Sequence, residues 1–208
     1  MSSEESATKT KILDATLALL EDRSARPVRV ADIAKRTGIS RQAVYLHYPT
    51  RAELFVAAAR RADEQADVDG HFAKSRAAVD GLEKLAAIIS AWATYLPRIL
   101  AIAQALRDLR GTDEGAAAAW QDRMEAMRSG CAATVQALER DGDLRRDFTK
   151  EEATDLLWTL LSVESFERLT LECGWTVDAV AQAWEKTARR TLLMPPALSV
   201  PADAAPPD

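Results

Sequence analysis

The amino-acid sequence predicts an all-α protein in which a small N-terminal domain of three helices precedes a larger helical domain. Hydrophobic residues make up 48% of the 208 residues, whereas only 8 glycines and 8 prolines occur. This composition is typical of helical proteins. Apolar residues recur at spacings of three and four, as in helices, and no alternating pattern predicts a strand. The length fits a small domain followed by one of ordinary size.

The turn around Gly38 defines the N-terminal domain. A short helical pattern ends at Gly38, and glycine commonly terminates a helix because it adopts the left-handed conformation at no steric cost. Ser40 is expected to cap the next helix by accepting a hydrogen bond from its first turn. Two short helices joined in this way match a helix-turn-helix, whose second helix enters the major groove of DNA. We predict this domain over residues 8–53, after a disordered segment at residues 1–7.

The second helix of this motif carries side chains that suit DNA. Arg41 can donate two hydrogen bonds to guanine and Gln42 can pair twofold with adenine, each discriminating bases by roughly 1–3 kcal/mol. Tyr45 and His47 have polar tips that can reach phosphate oxygens beside the groove. Arg51 stands in the first turn of the following helix, where backbone amides and a cation together favour a phosphate.

Basic residues are concentrated in the same region. Residues 24–51 contain six Lys or Arg and one acid, Asp32, which gives +5 in a chain whose net charge is −5. Phosphate neutralisation by such a patch supplies most non-specific DNA affinity. A glycine followed by a serine-capped helix also occurs in helical proteins that never bind nucleic acid. The local charge favours DNA over that alternative.

The segment GISRQAVYLHYPTRAELF, with KILDATLALLED and VADIAKRTG upstream of it, resembles the DNA-binding domain of the TetR family of bacterial transcriptional regulators. The resemblance implies phosphate contacts for Tyr45, His47 and Arg51. It also adds Leu46, which can touch only a thymine methyl, to the side chains that face base edges.

Two positions depart from the family pattern. The family usually has Thr at the start of its second helix, where this chain has Arg29, and Gly after its first helix, where this chain has SARP. Arg29 is expected to replace a neutral phosphate contact with a charged one. The candidate DNA contacts are Arg29, Ser40, Arg41, Gln42, Tyr45, Leu46, His47 and Arg51.

The second domain, residues 54–194, is expected to be helical throughout. The helix that begins at Arg51 continues through VAAARRADEQAD and is expected to connect the two domains. Apolar stripes predict a helix over residues 79–95 and another that ends near Arg140. Between them a separate helix is expected over residues 97–109, because proline is tolerated at a first-turn position.

The last two helices are apolar on more than one side, which is more than one core can bury. The excess predicts a partner chain, with a monomer of thick core as the alternative. The resemblance implies a homodimer in which these helices form a four-helix bundle, so that two copies meet a near-palindromic operator in double-stranded DNA. The expected interface residues are Leu157, Leu161, Glu164, Arg168, Val180, Trp184 and Ala188. Residues 195–208 contain five prolines and no periodicity, which predicts a disordered tail.

The resemblance also implies a pocket whose small-molecule occupant weakens operator binding, so that the protein acts as a repressor. Large aromatic and flexible Met side chains on several helices suit a small apolar or amphipathic effector. Each of these side chains could equally belong to the core. Arg98, Arg123 and Glu164 are candidate polar anchors, although Arg123 and Glu164 could equally form a salt bridge with each other or belong to the dimer interface. The candidate pocket residues are Trp92, Tyr95, Trp120, Arg123, Met124, Met127, Trp158 and Phe166.

Other functional classes find little support in the sequence. The chain contains two histidines, no metal-ligand cluster and no glycine-rich phosphate loop, so we predict no enzyme, metal or cofactor. Cys131 and Cys173 are expected to be buried, reduced thiols. A helical interaction protein with a non-functional DNA-binding domain remains the alternative, against which the intact basic patch argues. Without a signal segment or an uninterrupted apolar run of roughly 20 residues, we expect a cytoplasmic protein with no membrane segment.

Overall fold

The computed structural model describes residues 3–22 and 28–195, which form ten α-helices, one π-helical turn and no strand. Two lobes are built from them. We call α1, α2, α3 and the first turn of α4 the reader domain, and the remaining helices the body. One hydrophobic core of buried residues extends through both lobes.

The reader domain begins earlier than the sequence predicted. Helix α1 spans Ser3–Glu21, so residues 3–7, expected to be disordered, are helical. Glu5 forms an ion pair with Lys9 at 3.0 Å, one turn further on. The Thr8 hydroxyl donates to the carbonyl of Glu4 at 2.9 Å. Acidic residues in a first turn favour the positive end of the helix dipole, which extends α1 towards the N-terminus.

Three short elements complete the reader domain. Helix α2 spans Val30–Thr37 and α3 spans Arg41–His47. Helix α4, Arg51–Gln65, continues from the reader domain into the body, as the sequence predicted. It is fixed to α1 by Asp14, whose carboxylate accepts hydrogen bonds from Arg61 at 3.1 Å and Gln65 at 2.9 Å.

The body contains one long helix where the sequence predicted two. Helix α5 spans Val68–Ala77, and α6 spans Gly81–Leu109 with Pro97 inside it. A proline within a helix costs about 3 kcal/mol. Pro97 itself is exposed, whereas Leu96 and Ile99 beside it are buried. Burying each such side chain contributes about 1.5–3 kcal/mol, so the continuous apolar stripe outweighs the proline.

Helix α6 is long and apolar enough, by length and composition, to cross a membrane. Its most apolar window has a mean hydropathy of 1.6, and 61% of that window is buried inside the structure. Core helices of soluble proteins meet the same criterion. Its neighbour α7, Glu114–Asp141, ends close to the predicted position and carries the buried residues Trp120, Met127 and Cys131.

The C-terminal part of the body contains more elements than the two predicted helices. Helix α8 spans Lys150–Leu160, α9 spans Val163–Glu167, a π-helical turn spans Arg168–Glu172, and α10 spans Val177–Leu192. The break after α8 follows from Ser162, whose side chain caps α9 by accepting from the Ser165 amide at 3.1 Å. Most of the predicted tail, residues 196–208, lies outside the described residues.

The predicted dimer interface is wrong at five of its seven positions. Their side chains are at most 1% exposed within a single chain and therefore belong to its own core; they are Leu157, Leu161, Val180, Trp184 and Ala188. The apolar side chains of α10 pack against α6 and α8. One chain therefore buries more apolar surface than its sequence suggested. Glu164 and Arg168 are exposed, but each has an ion-pair partner in the same chain, Arg107 and Glu172 respectively.

The two cysteines differ in their surroundings. Both are free thiols, but Cys131 is buried and Cys173 is exposed. Burial raises the pKa of the Cys131 thiol to about 12. The expectation of burial is wrong for Cys173 because it lies where the π-helical turn ends, next to Gly174 in the left-handed conformation with φ 71°.

Candidate DNA-binding surface and internal cavity

The turn between α2 and α3 has the geometry that the sequence predicted. Gly38 adopts φ 72° and ψ 22°, and its amide donates to the carbonyl of Ala34. A Cβ atom at Gly38 would meet nothing within 4 Å, so the backbone conformation alone requires glycine. Ser40 caps α3, since its hydroxyl accepts from the amide of Ala43 at 3.0 Å.

Helix α3 exposes the side chains that the sequence assigned to DNA. Arg41 and Gln42 at its start are exposed. Tyr45 is 41% exposed and Leu46 79% exposed, whereas Val44 is fully buried and anchors the helix to the core. Leaving Leu46 in water is unfavourable for an isolated chain, which is typical of a side chain that meets another molecule.

The cations around α3 have no acidic partners among the described residues. No Lys or Arg in the described part of residues 28–51 forms an ion pair with a described residue; these cations are Arg29, Lys35, Arg36, Arg41 and Arg51. Arg51 lies 4.9 Å from the ring centroid of the buried Phe55, which holds its guanidinium at the surface. Unpaired cations can neutralise phosphates without first breaking an internal ion pair.

The remaining predicted contacts lie at the edges of this surface. Arg29 precedes α2, where its backbone amide donates to Asp32 at 3.1 Å. Its guanidinium is exposed and, having no acceptor, cannot cap the helix as Thr would. His47 is half-buried at the end of α3. Thr50 begins α4 as predicted, since its hydroxyl accepts from the Glu53 amide at 3.0 Å.

The body contains a cavity of about 560 Å³ bounded mainly by α4, α5, α6 and α7. One of its walls is aromatic: the ring centroids of Phe72, Trp92 and Tyr95 lie 5.5–6.1 Å apart, at tilted or edge-on angles. The Trp92 indole donates to the carbonyl of Leu161, at the end of α8. A second cavity of about 700 Å³ lies beside the first and shares Trp92 and Trp120 with it.

The structure brings most of the predicted pocket residues together. Six of the eight line the first cavity: Trp92, Tyr95, Trp120, Arg123, Met124 and Met127. Trp158 lines the second cavity instead. Phe166 lines neither, because it is buried 6.0 Å from the ring of Trp184 in the core. Contact with a ligand stays a prediction for all of the lining residues.

Several cavity residues were missed from the sequence. Phe72, Asp63 and Arg60 line the cavity from α5 and α4. A weakly amphipathic pattern in α5 gave no indication of which face it buries. The predicted anchor Arg98 instead donates to the carbonyl of Ala66 at 3.4 Å.

A charged network crosses one wall of the cavity. Asp63 of α4 accepts hydrogen bonds from the Tyr95 hydroxyl and from Nη2 of Arg123, each at 2.6 Å. Burial raises the pKa of Tyr95, and the hydrogen bond to Asp63 raises it further, so the phenol remains a donor. Three helices are thereby joined at one carboxylate. Within the described residues, no cluster of three His, Cys, Asp or Glu could hold a metal ion.

The comparisons with known proteins agree with this architecture. Residues 12–58 match the family model described as bacterial regulatory proteins, tetR family. No curated protein matches the sequence.

Solved structures share the fold across most of the chain. A transcriptional regulator from Saccharomonospora viridis, in complex with choline, is 20% identical, with a TM-score of 0.77 over 91% of this chain and 100% of that one. A TetR-family regulator from Rhodococcus sp. is 18% identical, with a TM-score of 0.69 over 88% and 97% of the two chains. The regulator FadR from Bacillus subtilis, in complex with stearoyl-CoA, is 12% identical, with a TM-score of 0.67 over 86% and 96%.

Proposed function

We propose that this chain, which belongs to the TetR family of bacterial regulatory proteins, is a transcriptional repressor that a small-molecule effector releases from its operator. One observation carries the DNA-binding part: α3 exposes Arg41 and Gln42 at its N-terminus, among cations that no described acid neutralises. A buried structural helix would not leave such side chains free.

The contacts divide into two classes. Arg41 and Gln42 read base edges in the major groove, with Leu46 against a thymine methyl. Phosphates are bound by Tyr45 and His47 at the end of α3. The remaining phosphate contacts come from helix starts: Arg29 before α2, Ser40 before α3, and Arg51 in α4.

The functional unit is a homodimer on a near-palindromic operator. Apolar side chains that remain exposed in a single chain support this part: Leu156 at 42%, Leu171 at 40% and Trp175 at 43%. These residues replace the buried ones as the candidate interface. A twofold axis through this surface would present two α3 helices to successive major grooves, about 34–36 Å apart.

The effector site is the cavity bounded by α4, α5, α6 and α7. Its volume of about 560 Å³ is within the range of small-molecule pockets, and its lining is mostly apolar and aromatic. Structurally similar regulators have been solved with choline and with stearoyl-CoA, which supports a bound small molecule in this fold. Helix α4 both borders the cavity and ends the reader domain, so an occupant that displaces α4 would displace α3. A repressor of this kind acts in the cytoplasm, because that compartment contains the DNA that it binds.

The direct test is to footprint the purified protein on the DNA upstream of its own gene and the neighbouring genes. We expect a protected, near-palindromic site, and release when an effector is added. Arg51→Ala should weaken this protection, whereas its matched control Arg146→Ala should not, because both arginines are exposed and form no ion pair with a described residue but Arg146 lies far along the chain from α3. Failure to protect any DNA, with the helical content intact, would favour the alternative of an interaction protein with a non-functional reader domain.

A further inference from the structure

Two arginines stand where the cavity approaches the reader domain. Arg60 of α4 and Arg123 of α7 line the cavity, and both also line a cleft of about 1030 Å³. That cleft includes His47 and Tyr48 at the end of α3. The two guanidinium groups therefore occupy the boundary between the interior of the body and the reader domain.

Both arginines keep hydrogen-bond donors that no residue in the described ranges accepts from. A guanidinium has five N–H donors. Arg123 donates to Asp63 at 2.6 Å and to the carbonyl of Ala119 at 3.3 Å. Arg60 forms no side-chain hydrogen bond or ion pair with any residue in the described ranges. Such a pair of planar, donor-rich groups suits a carboxylate, which accepts two parallel hydrogen bonds from one arginine.

The acidic residues that line the cavity offer a cationic ligand less than the two arginines offer a carboxylate. Both oxygens of Asp63 already accept hydrogen bonds, from Tyr95 and Arg123. Asp69 is paired with Arg76 at 3.4 Å. Asp122 is exposed and lines both the cavity and the cleft, but it is one acid beside two arginines, so the three side chains that line both spaces carry a net charge of +1.

The aromatic wall is also unlike a cage for an ammonium group. Phe72, Trp92 and Tyr95 pack on one another at 5.5–6.1 Å, so ring contacts occupy faces that a cation would need. The rest of the lining is largely aliphatic; it includes Ile88, Ile99, Ile102, Ala103 and Leu106. This surface fits a flexible hydrocarbon chain.

We propose that the effector is an amphipathic monocarboxylate, whose hydrocarbon chain fills the cavity and whose carboxylate binds Arg123 and Arg60. This inference rests on the proposed function. Inside the chain, Asp63 is the carboxylate that occupies Arg123 in the absence of effector. The incoming carboxylate competes with Asp63 for the same guanidinium and replaces it.

This competition connects the cavity to the reader domain. Asp63 ties α4 to α7 through Arg123, while Arg61 on the same helix ties α4 to Asp14 of α1 at 3.1 Å. Loss of the bond between Asp63 and Arg123 removes one link between α4 and the body and leaves the link between α4 and α1 in place. Effector and operator then oppose each other, and by thermodynamic reciprocity each weakens the binding of the other by the same factor.

The first experiment compares three ligands with the same ten-carbon chain, measured by isothermal titration calorimetry below their micelle-forming concentrations. Decanoate should bind, decan-1-ol should bind more weakly, and decyltrimethylammonium weakest of all. Decanoate should also lower operator affinity. Equal or tighter binding of decan-1-ol or decyltrimethylammonium would overturn the proposal.

The second experiment uses substitutions in the charged network. Arg123→Gln should weaken decanoate roughly tenfold to a hundredfold, as expected for loss of charge-assisted hydrogen bonds, and leave decan-1-ol unchanged. The matched control is Arg128→Gln: Arg128 also lies on α7 and pairs with an acid of another helix, Asp155, at 2.7 Å, but it does not line the cavity. The control should bind decanoate like the original chain. An equal loss in both variants would contradict the proposal.

A gain of binding provides the sharpest test. Asp63→Asn has nearly the same shape but removes the competing negative charge, so decanoate should bind several-fold more tightly while decan-1-ol stays unchanged. In this variant decanoate should lower operator affinity by a smaller factor, because the interaction of position 63 with Arg123, which decanoate breaks, is already weakened. Unchanged or weaker decanoate binding in Asp63→Asn would refute the competition, even if Arg123→Gln failed to fold.

Failure of this inference can be distinguished from failure of the proposed function. The calorimetric measurements need no DNA, so a chain that binds no operator would overturn the repressor function and leave the ligand assignment standing. A chain that protects an operator and binds decyltrimethylammonium but not decanoate would overturn the carboxylate assignment alone.

Discussion

The reader domain leaves key polar side chains exposed and unpaired within the described residues, whereas the body buries its large side chains or engages its arginines in ion pairs. On α3, Arg41 and Gln42 are exposed and form no side-chain bond with a described residue. In the body, Trp184 of α10 is 1% exposed, and the arginines of α7 are engaged: Arg123 with Asp63, and Arg128 with Asp155. Folding therefore depends on these residues of the body but not on Arg41 and Gln42.

This difference means that stability and function can be separated on the exposed face of α3 but not among the core residues that line the cavity. A side chain exposed and unpaired in the free protein contributes little to folding, so its removal changes only what it binds. A cavity is lined by core residues, so a substitution there acts on packing and on ligand binding together.

Trp184→Ala should reduce the stability of the protein more than the other substitutions. We expect the free energy of unfolding to fall by about 3–5 kcal/mol, because a large buried side chain leaves a cavity in the core. Urea unfolding followed by circular dichroism measures this loss. Trp175→Ala is the control, since Trp175 is 43% exposed; it should leave the helical content intact and weaken only the dimer in sedimentation equilibrium. The reverse pattern would restore Trp184 to the interface.

Gln42→Ala should relax sequence preference without affecting stability. We expect a loss of about 1–3 kcal/mol of discrimination at one base pair of each half-site, as for a twofold contact to adenine. Competition with operators substituted one position at a time locates that base pair. Equal losses on operator and random DNA would exclude Gln42 from base reading.

Arg51→Ala should weaken binding to every sequence. Removing one phosphate contact lowers the slope of log affinity against log salt by about one per reader domain. Affinities for operator and random DNA at several salt concentrations provide the slope. Arg146→Ala should leave it unchanged; a specific loss confined to the operator would instead make Arg51 a base contact.

Tyr45→Phe should have the smallest effect. It removes one hydroxyl from a side chain that is 41% exposed, so we expect about 0.5–1.5 kcal/mol less binding to phosphate. Operator and random DNA should be affected alike, and the unfolding midpoint should not move. A larger loss on the operator alone would indicate that the hydroxyl contacts a base.

The sequence predicted the reader domain well because its signals are local. Gly38, Ser40 and Thr50 act within three or four residues along the chain, through a left-handed turn and two helix caps. Burial of Val44 fixes which face of α3 is exposed. No distant residue has to be known to infer these features.

The body was predicted less well because its features depend on distant contacts. Continuity of α6 through Pro97 depends on packing partners that the local pattern does not show. The same is true of Asp63, which is joined to residues 32 and 60 positions away, Tyr95 and Arg123. Periodicity identified an apolar stripe on α10 but could not say whether this chain or a second copy covers it.

An all-α chain, the helix-turn-helix and the residues that α3 presents could be inferred from the amino-acid order, because turns, caps and charge act over a few residues. Three features became known only from the packed helices: which apolar side chains one core buries, which of them line a cavity, and that Asp63 of α4 joins α6 and α7. Those outcomes depend on how helices far apart in the chain pack together, and an amphipathic pattern gives the face a helix buries without giving its partner.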